Sequence, residues 1–208
     1  MTEIAAGTFL ERQTKKLSFA VYLLDDYSKS TPIGRVEVFL SGGERAVKNL
    51  SSHYLFLDLS KGEYMFLVRS ANYFDEISEP VNTATYTNKN PIIIRLVPKP
   101  SYPFTPGETL VRGLLLGRDA KPIPGGRLSG KAANKDFSSR TTETGEFVIY
   151  FGILAEVDVV EEAGKYFVKG DTDTKIKIKV ESSGASRVAE LDKVEVGKTR
   201  SITYSLDS

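Results

Sequence analysis

The chain has 208 residues, with 28 basic and 27 acidic side chains, one histidine and no cysteine. That length suits two domains of about 100 residues, each large enough for its own core. The absent cysteines exclude disulfides, thiol nucleophiles, iron–sulfur clusters and thiolate zinc sites. The balanced charge, 11 basic against 11 acidic residues up to Val97 and 17 against 16 beyond it, lacks the basic excess of a nucleic-acid binder.

No apolar run reaches the roughly 18 residues of a membrane-spanning helix. The first ten residues, Met1 to Leu10, have neither a basic start nor a long apolar stretch, so they do not read as a secretory signal. The expectation is a protein that is cytoplasmic or assembled in the cytoplasm, with export by a non-standard route as the alternative. Residues 1–16 are mixed and polar and read as an N-terminal arm.

From 17 onward the chain alternates. Leu17, Phe19, Val21 and Leu23 share one strand face, as do Val36, Val38 and Leu40. Ser41 to Glu44 is a turn. His53, Leu55, Leu57 and Leu59 then alternate with Tyr54, Phe56 and Asp58. Lys61-Gly62 turns the chain into a strand over 63–70, and a strand over 91–97 closes a first domain, 17–97. Short period-2 strands broken by turn residues are the pattern of a β-sandwich, and no segment has a long helical period.

Pro98, Pro100, Pro103 and Pro106 mark 98–107 as a proline-rich linker, expected to be extended and stiff. The second domain, 108–208, has expected strands at 109–116, 126–132, 136–142, 145–151, 174–182, 186–196 and 199–206. Between them, Val157–Val160 and Tyr166–Val168 flank Ala163-Gly164 and read as an inserted hairpin. The expected core comprises Phe56, Tyr64, Phe66, Phe147, Ile149, Ile178 and Ile202.

The two halves open alike. Phe19 to Leu24, Asp25-Asp26, and Pro32-Ile33 followed by a strand are matched by Leu110 to Leu116, Arg118-Asp119, and Pro122-Ile123 followed by a strand. An internal repeat of this size means tandem domains of one fold. The run Tyr54-Leu-Phe-Leu-Asp-Leu-Ser-Lys-Gly62-Glu-Tyr64-Met-Phe-Leu-Val68, ending at Asn72-Tyr73-Phe74, resembles the core pattern of carboxypeptidase regulatory-like domains. In the second half, Asp119 to Ile123, Gly125-Gly126 and Thr141 to Phe147 resemble the opening of the same pattern. The resemblance implies an all-β chain of two tandem seven-stranded Greek-key β-sandwiches, prealbumin-like (transthyretin-like) or Ig-like. It further implies that such modules act as adhesive, spacer or docking units.

Chemistry finds few footholds. A triad or a histidine-based metal site would have to rest on His53 alone, which reads as a strand-end structural residue. Transthyretin-like hydrolases need several histidines. Related pilus and adhesin repeats form Lys–Asn isopeptide bonds with a buried Glu, and the matching position here is Val68. The acidic residues 156, 158, 161, 162, 171 and 173 lack the fixed ligand spacing of a calcium loop. Lys175, Lys177 and Lys179 read as a solvated guard against edge aggregation. No catalytic residue, cofactor or metal is therefore expected. The expected function is a structural or docking module that binds another protein, as a subunit of a larger assembly such as a phage-tail-like particle. The alternative is a carbohydrate-binding module using exposed tyrosines, and the candidate binding surface is Tyr73, Phe74, Tyr86, Tyr102 and Phe104.

Overall fold

In the computed structural model the described residues are 14–87, 90–182 and 184–206. The expected arm over 1–16 falls almost wholly outside them. The first nine strands are β1 (Leu17–Asp25), β2 (Val36–Leu40), β3 (Val47–Lys48), β4 (His53–Leu57), β5 (Glu63–Tyr64), β6 (Phe66–Ser70), β7 (Glu76–Ile77), β8 (Val81–Asn82) and β9 (Ile92–Leu96). The rest are β10 (Leu110–Leu116), β11 (Arg127–Ala132), β12 (Lys135–Arg140), β13 (Glu146–Tyr150), β14 (Val159–Glu162), β15 (Lys165–Val168), β16 (Ile176–Ser182), β17 (Ala185–Leu191) and β18 (Thr199–Ser205). Only two single 3-10 turns, Arg118–Ala120 and Glu156–Asp158, interrupt this all-β chain among the described residues.

The strands form two sandwiches in tandem. In the first, a sheet ordered β3-β4-β1-β9 faces one ordered β2-β6-β7, with β5-β8 as a small ribbon. In the second, β13-β10-β18 faces β12-β11-β16-β17, and β14-β15 is the inserted hairpin. The central triplets correspond: β4-β1-β9 with β13-β10-β18, and β2-β6-β7 with β11-β16-β17. Neighbours far apart in sequence, such as the parallel pair β10 and β18, are the crossovers of a Greek-key arrangement.

One strand breaks the correspondence. The third strand of the first sandwich pairs with β4, Val47 opposite Leu55. Its counterpart β12 pairs with β11 through six residue pairs, from Arg127 opposite Arg140 to Ala132 opposite Lys135. The cause is local. Ala133 and Asn134 both have positive φ, 52° and 56°, which is the two-residue turn whose twist suits a tight hairpin, so β12 folds straight back on β11. In the first half the Ser41–Glu44 turn also brings the chain back on β2, with Arg45 bridged to Phe39 and Ala46 N–H donating to Val38 O at 3.0 Å, before Val47 and Lys48 pass over to β4. The expectation of one strand order for both halves therefore holds for six strands, and the third departs from it only in passing to β4 after its bridge to β2.

Alternation sets the cores. Phe19, Val21, Leu23, Val38, Phe56, Phe66 and Val68 are buried in the first sandwich. The Phe19 and Phe66 rings meet edge to face at 5.3 Å, joining the two sheets, a geometry that aromatic quadrupoles favour. In the second, Val111, Leu115, Leu128, Phe147, Ile149 and Ile178 belong to one cluster. Of the expected core, Phe56, Phe66, Phe147, Ile149 and Ile178 are buried. Tyr64 and Ile202 are only half-buried, because each lies on a short or outermost strand with one flank uncovered. The inserted hairpin turns at Ala163-Gly164, again with both φ positive.

By compactness the described residues fall into two units. One takes in those of Met1–Leu23, Glu37–Val68 and Glu76–Ile94; the other takes in those of Leu24–Val36, Arg69–Asp75 and Arg95–Ser208. The second unit thus includes the turn after β1, the turn after β6, the proline-rich stretch and everything that follows. Within it the proline-rich stretch is not a plain extended connector. Lys99 N–H donates to Asn72 O at 2.8 Å, Tyr102 N–H to Lys99 O at 3.0 Å and Glu108 N–H to Thr105 O at 3.2 Å. Proline removes a donor at four positions, but the residues between them keep theirs and use them in turns.

Two substitutions check the core. Phe66→Ala should cost about 3–5 kcal/mol in urea unfolding through the cavity it leaves. Gly113→Ala, whose added methyl would run into the Phe147 ring and the Ile202 carbonyl, should cost about 1–3 kcal/mol. A loss below about 1 kcal/mol in either variant, on the same scale, would show that the sheet packing is wrong there.

Candidate functional site

The site is built from the turn that ends β1. Asp25 is fully buried, and a buried carboxylate must be hydrogen-bonded to be tolerable. Its Oδ1 accepts from the N–H groups of Tyr27 at 2.8 Å and Ser28 at 3.3 Å, the side-chain turn that Asp favours. Its main chain closes the same loop, with Asp25 N–H donating to Ser30 O and Lys29 N–H to Asp25 O, both at 2.9 Å. Lys29 sits at φ 55° to make this possible.

Asp25 Oδ2 accepts from two hydroxyls, Tyr73 at 2.9 Å and Tyr102 at 2.6 Å. Tyr73 in turn accepts from the Ile33 N–H at 3.0 Å. Burial and then the Asp25 carboxylate push the Tyr73 hydroxyl pKa up to about 12. The same two causes push Tyr102 up as well. The neighbouring Asp26 is held differently: Lys29 Nζ donates to its Oδ1 at 2.8 Å and the Tyr150 hydroxyl to its Oδ2 at 2.6 Å. Burial opposes its charge, but Lys29 and Tyr150 outweigh that and lower its pKa, with Arg95 adding to the effect. Tyr150 is raised by burial first and by Asp26 next.

The rings of these residues pack as a cluster. Tyr27 meets Tyr102 at 5.5 Å, Phe104 at 5.0 Å and Tyr150 at 5.6 Å, each near edge to face. Tyr102 and Phe104 lie 4.8 Å apart, and the Arg112 guanidinium lies over Phe104 at 5.5 Å while donating to Pro100 O. Two carboxylates, four tyrosines and a phenylalanine thus form a polar-aromatic knot inside the second unit.

Beside the knot lies an open groove of about 1240 Å³. One wall is the Asp26–Lys29 turn, another is Tyr150–Ile153, and β12 runs along it from Lys135 to Ser138. Ser129 and Lys131 of β11, Lys177 and Lys179 of β16 and Val188 of β17 extend the lining over the outer sheet face. The cross-strand register puts Ser129 opposite Lys179, and Lys179 opposite Val188.

The candidate residues from the sequence are placed as follows. Tyr73, Phe74 and Tyr102 are buried and Phe104 is half-buried, all in the second unit. Tyr86 is half-buried in the first, its ring 5.2 Å from Phe19 and its hydroxyl donating to Asn90 O at 2.9 Å. Three of the five, Tyr73, Tyr102 and Phe104, therefore come together, but not as an exposed platform. Their hydroxyls found a buried carboxylate and their rings found each other, which removes the faces a sugar would stack on. Asp25, Asp26, Tyr27 and Tyr150 went unrecognised in the sequence. The only signal was the Asp-Asp pair at a strand end with a Tyr following, which reads simply as a polar turn.

Other chemical candidates are absorbed by structure. His53 opens β4 with its ring 5.4 Å from Tyr22. Val68, at the place of the isopeptide acid, is buried in the core. Asp158 accepts from Ala155 N–H at 3.0 Å and from Lys135 Nζ at 3.3 Å, and Glu162 pairs with Lys193 at 2.8 Å. These acids face lysines, and among the described residues no three ligand-type side chains converge on a metal-sized point.

No family model matches the chain, and no curated protein matches it. Among solved structures, it is similar to the Bacillus anthracis TIE protein, with 10% identity and a TM-score of 0.32 over 85% of this chain and 32% of that one. It is similar to a streptococcal ancillary pilin, with 13% identity and a TM-score of 0.27 over 92% and 62%. It is also similar to a double mutant of the shaft pilin SpaA from Lactobacillus rhamnosus GG, with 9% identity and a TM-score of 0.23 over 92% and 97%. The chain spans about a third of the first of these and under two thirds of the second.

The knot makes two measurable demands. Tyr102→Phe removes a donor from a fully buried carboxylate and should destabilise the protein by about 1–3 kcal/mol in urea unfolding at neutral pH. The raised tyrosine pKa values set an alkaline limit. The native state keeps these protons longer than the unfolded chain, so the stability they bring is complete below about pH 10 and is lost as pH rises through the folded value near 12 for Tyr73. Urea midpoints measured between pH 9 and 12 should fall, and Tyr73→Phe should make the fall shallower. An unchanged slope in that variant would remove Tyr73 from the account.

Proposed function

We propose that this chain is a non-enzymatic structural or docking module that binds another protein as a subunit of a larger assembly. The observation that carries this reading is how the polar groups are used. The Asp25 and Asp26 carboxylates and the hydroxyls around them are spent on one another, so they fix the backbone instead of waiting on a substrate. A general acid, base or nucleophile needs a partner at hydrogen-bond reach and an approachable reacting atom. Asp25 is fully enclosed, and Asp26 is bound from two sides.

What stays open is the lysine-bordered groove and the exposed apolar side chains near it, Ile153 and Val188. A concave surface with a few convergent charged groups suits recognition. The carboxypeptidase regulatory-like pattern supports the same role through its fold. A particle resembling a phage tail is one assembly that would use such a subunit. Carbohydrate binding is the lesser reading, since Tyr73, Phe74 and Tyr102 do not offer their rings to solvent.

Cross-linking mass spectrometry in the native host separates these readings. Lysine-reactive cross-linking should join this chain reproducibly to one partner protein, while a glycan array probed with the purified chain should stay blank. Saturable binding to a glycan, with no recurrent protein cross-link, would overturn the docking reading.

A further inference from the structure

β18 ends the sheet β13-β10-β18 on one side. Leu206 N–H donates to Leu116 O at 2.9 Å, and Lys198 O accepts from Leu110 N–H at 3.1 Å. In this parallel pair the even-numbered residues of β18 therefore turn both main-chain groups to β10, and the odd-numbered ones turn theirs away. The Ser205 carbonyl, on that far side, accepts from Arg187 of β17 at 2.9 Å. Among the described residues no main-chain bond carries Thr199, Ser201 or Thr203 on to a further strand.

Sheet edges are ordinarily guarded by charge, proline, a bulge or brevity. β18 is seven residues long, Thr-Arg-Ser-Ile-Thr-Tyr-Ser, with one charge and no proline. Its register with β10 runs unbroken from Leu110 opposite Thr199 to Leu116 opposite Ser205. The end strands of the facing sheet are better guarded, with three charges in β12 and two in β17. Thr199, Ser201 and Thr203 point outward and are exposed. Ile202 and Tyr204 point inward, packed on the second core but only half-buried.

The strand also reads alike from both ends. Ile202 is its centre, flanked by Ser201 and Thr203, then Arg200 and Tyr204, then Thr199 and Ser205. We propose that a second copy of this chain pairs antiparallel with β18 across a two-fold axis at Ile202, joining the two three-stranded sheets into one. Only this register opposes all seven residues. It sets odd-numbered residues against odd-numbered ones, so the outward main-chain groups meet. Ser201 faces Thr203 of the second copy and Thr199 faces its Ser205, and hydroxyl pairs of this kind stabilise a sheet. Arg200 faces the Tyr204 ring of the second copy, a contact that suits a guanidinium, and no like charges lie opposite. All these contacts belong to β18 itself. The inference stands apart from the docking reading, which concerns a different protein as partner.

The test uses the full chain, which has no cysteine of its own. Sedimentation velocity over a concentration series should move the protein from 22.9 kDa toward twice that mass. Ser201→Lys combined with Thr203→Lys, both at exposed positions, sets like charges directly opposite and should weaken the dimer about tenfold. Ser201→Glu combined with Thr203→Lys sets opposite charges there and should restore it. Ile202→Cys should close a disulfide between copies under mild oxidation, because residues opposed at a non-hydrogen-bonded pair lie close enough for one. Ser201→Cys should not, since its two copies lie diagonally, roughly 7–8 Å apart. A chain that stays monomeric at every concentration, a Glu–Lys variant no tighter than the Lys–Lys variant, or a disulfide in Ser201→Cys but not in Ile202→Cys would each overturn the proposal.

Discussion

A single carboxylate decides the local structure around the second unit's turns. Asp25 ends a core strand and lies entirely out of water, where an unpaired charge would be intolerable. Two main-chain donors and two hydroxyls satisfy it. Together they fix three stretches: the turn over 25–30, which supplies both main-chain donors, the turn carrying Tyr73, and the proline-rich stretch carrying Tyr102. Charge-assisted hydrogen bonds are the strong ones, so one side chain holds three segments that are far apart in sequence. The aromatic packing of Tyr27, Phe104 and Tyr150 follows from where those segments are held.

Strands and their buried faces were legible because period-2 alternation is a local signal. Leu17 to Leu23, Ile176 to Val180 and the hairpin at Ala163-Gly164 could be read residue by residue. The knot could not. Its partners are separated by 48 residues for Tyr73 and 77 for Tyr102, and nothing near Asp25 says which tyrosines will reach it. The linker reading weighed four prolines and overlooked that Tyr102, between them, carries both a ring and a donor. The expected exposed aromatic surface fails for the same reason, since nothing local to Tyr73 or Tyr102 says that a distant carboxylate will bury them. The sheet joined by the third strand was also hidden: β3 is two exposed residues, while β12 is committed by the turn at Ala133-Asn134.

Polar groups here divide into two populations with different work. Those of the knot are mutually satisfied, and Asp25 among them is fully enclosed. Those of the groove lie on strand surfaces, with lysines whose pairings are exposed and therefore weak. A rigid wall beside replaceable ion pairs lets a surface exchange its internal partners for external ones without disturbing the fold, and the two populations meet at Asp26 and Lys29.

The mismatch of the third strand has a consequence for how the chain reaches its folded state. Adjacent copies of one fold tend to trade equivalent segments while both are still open, and misassembly of this kind is a recurring failure of repeat proteins. Here the equivalent segments are not interchangeable. One leaves β2 after a single bridge and gives two residues to β4; the other stays on β11 for six residues. The two segments differ in length and in where they end, and that divergence works against exchange between the similar halves during folding.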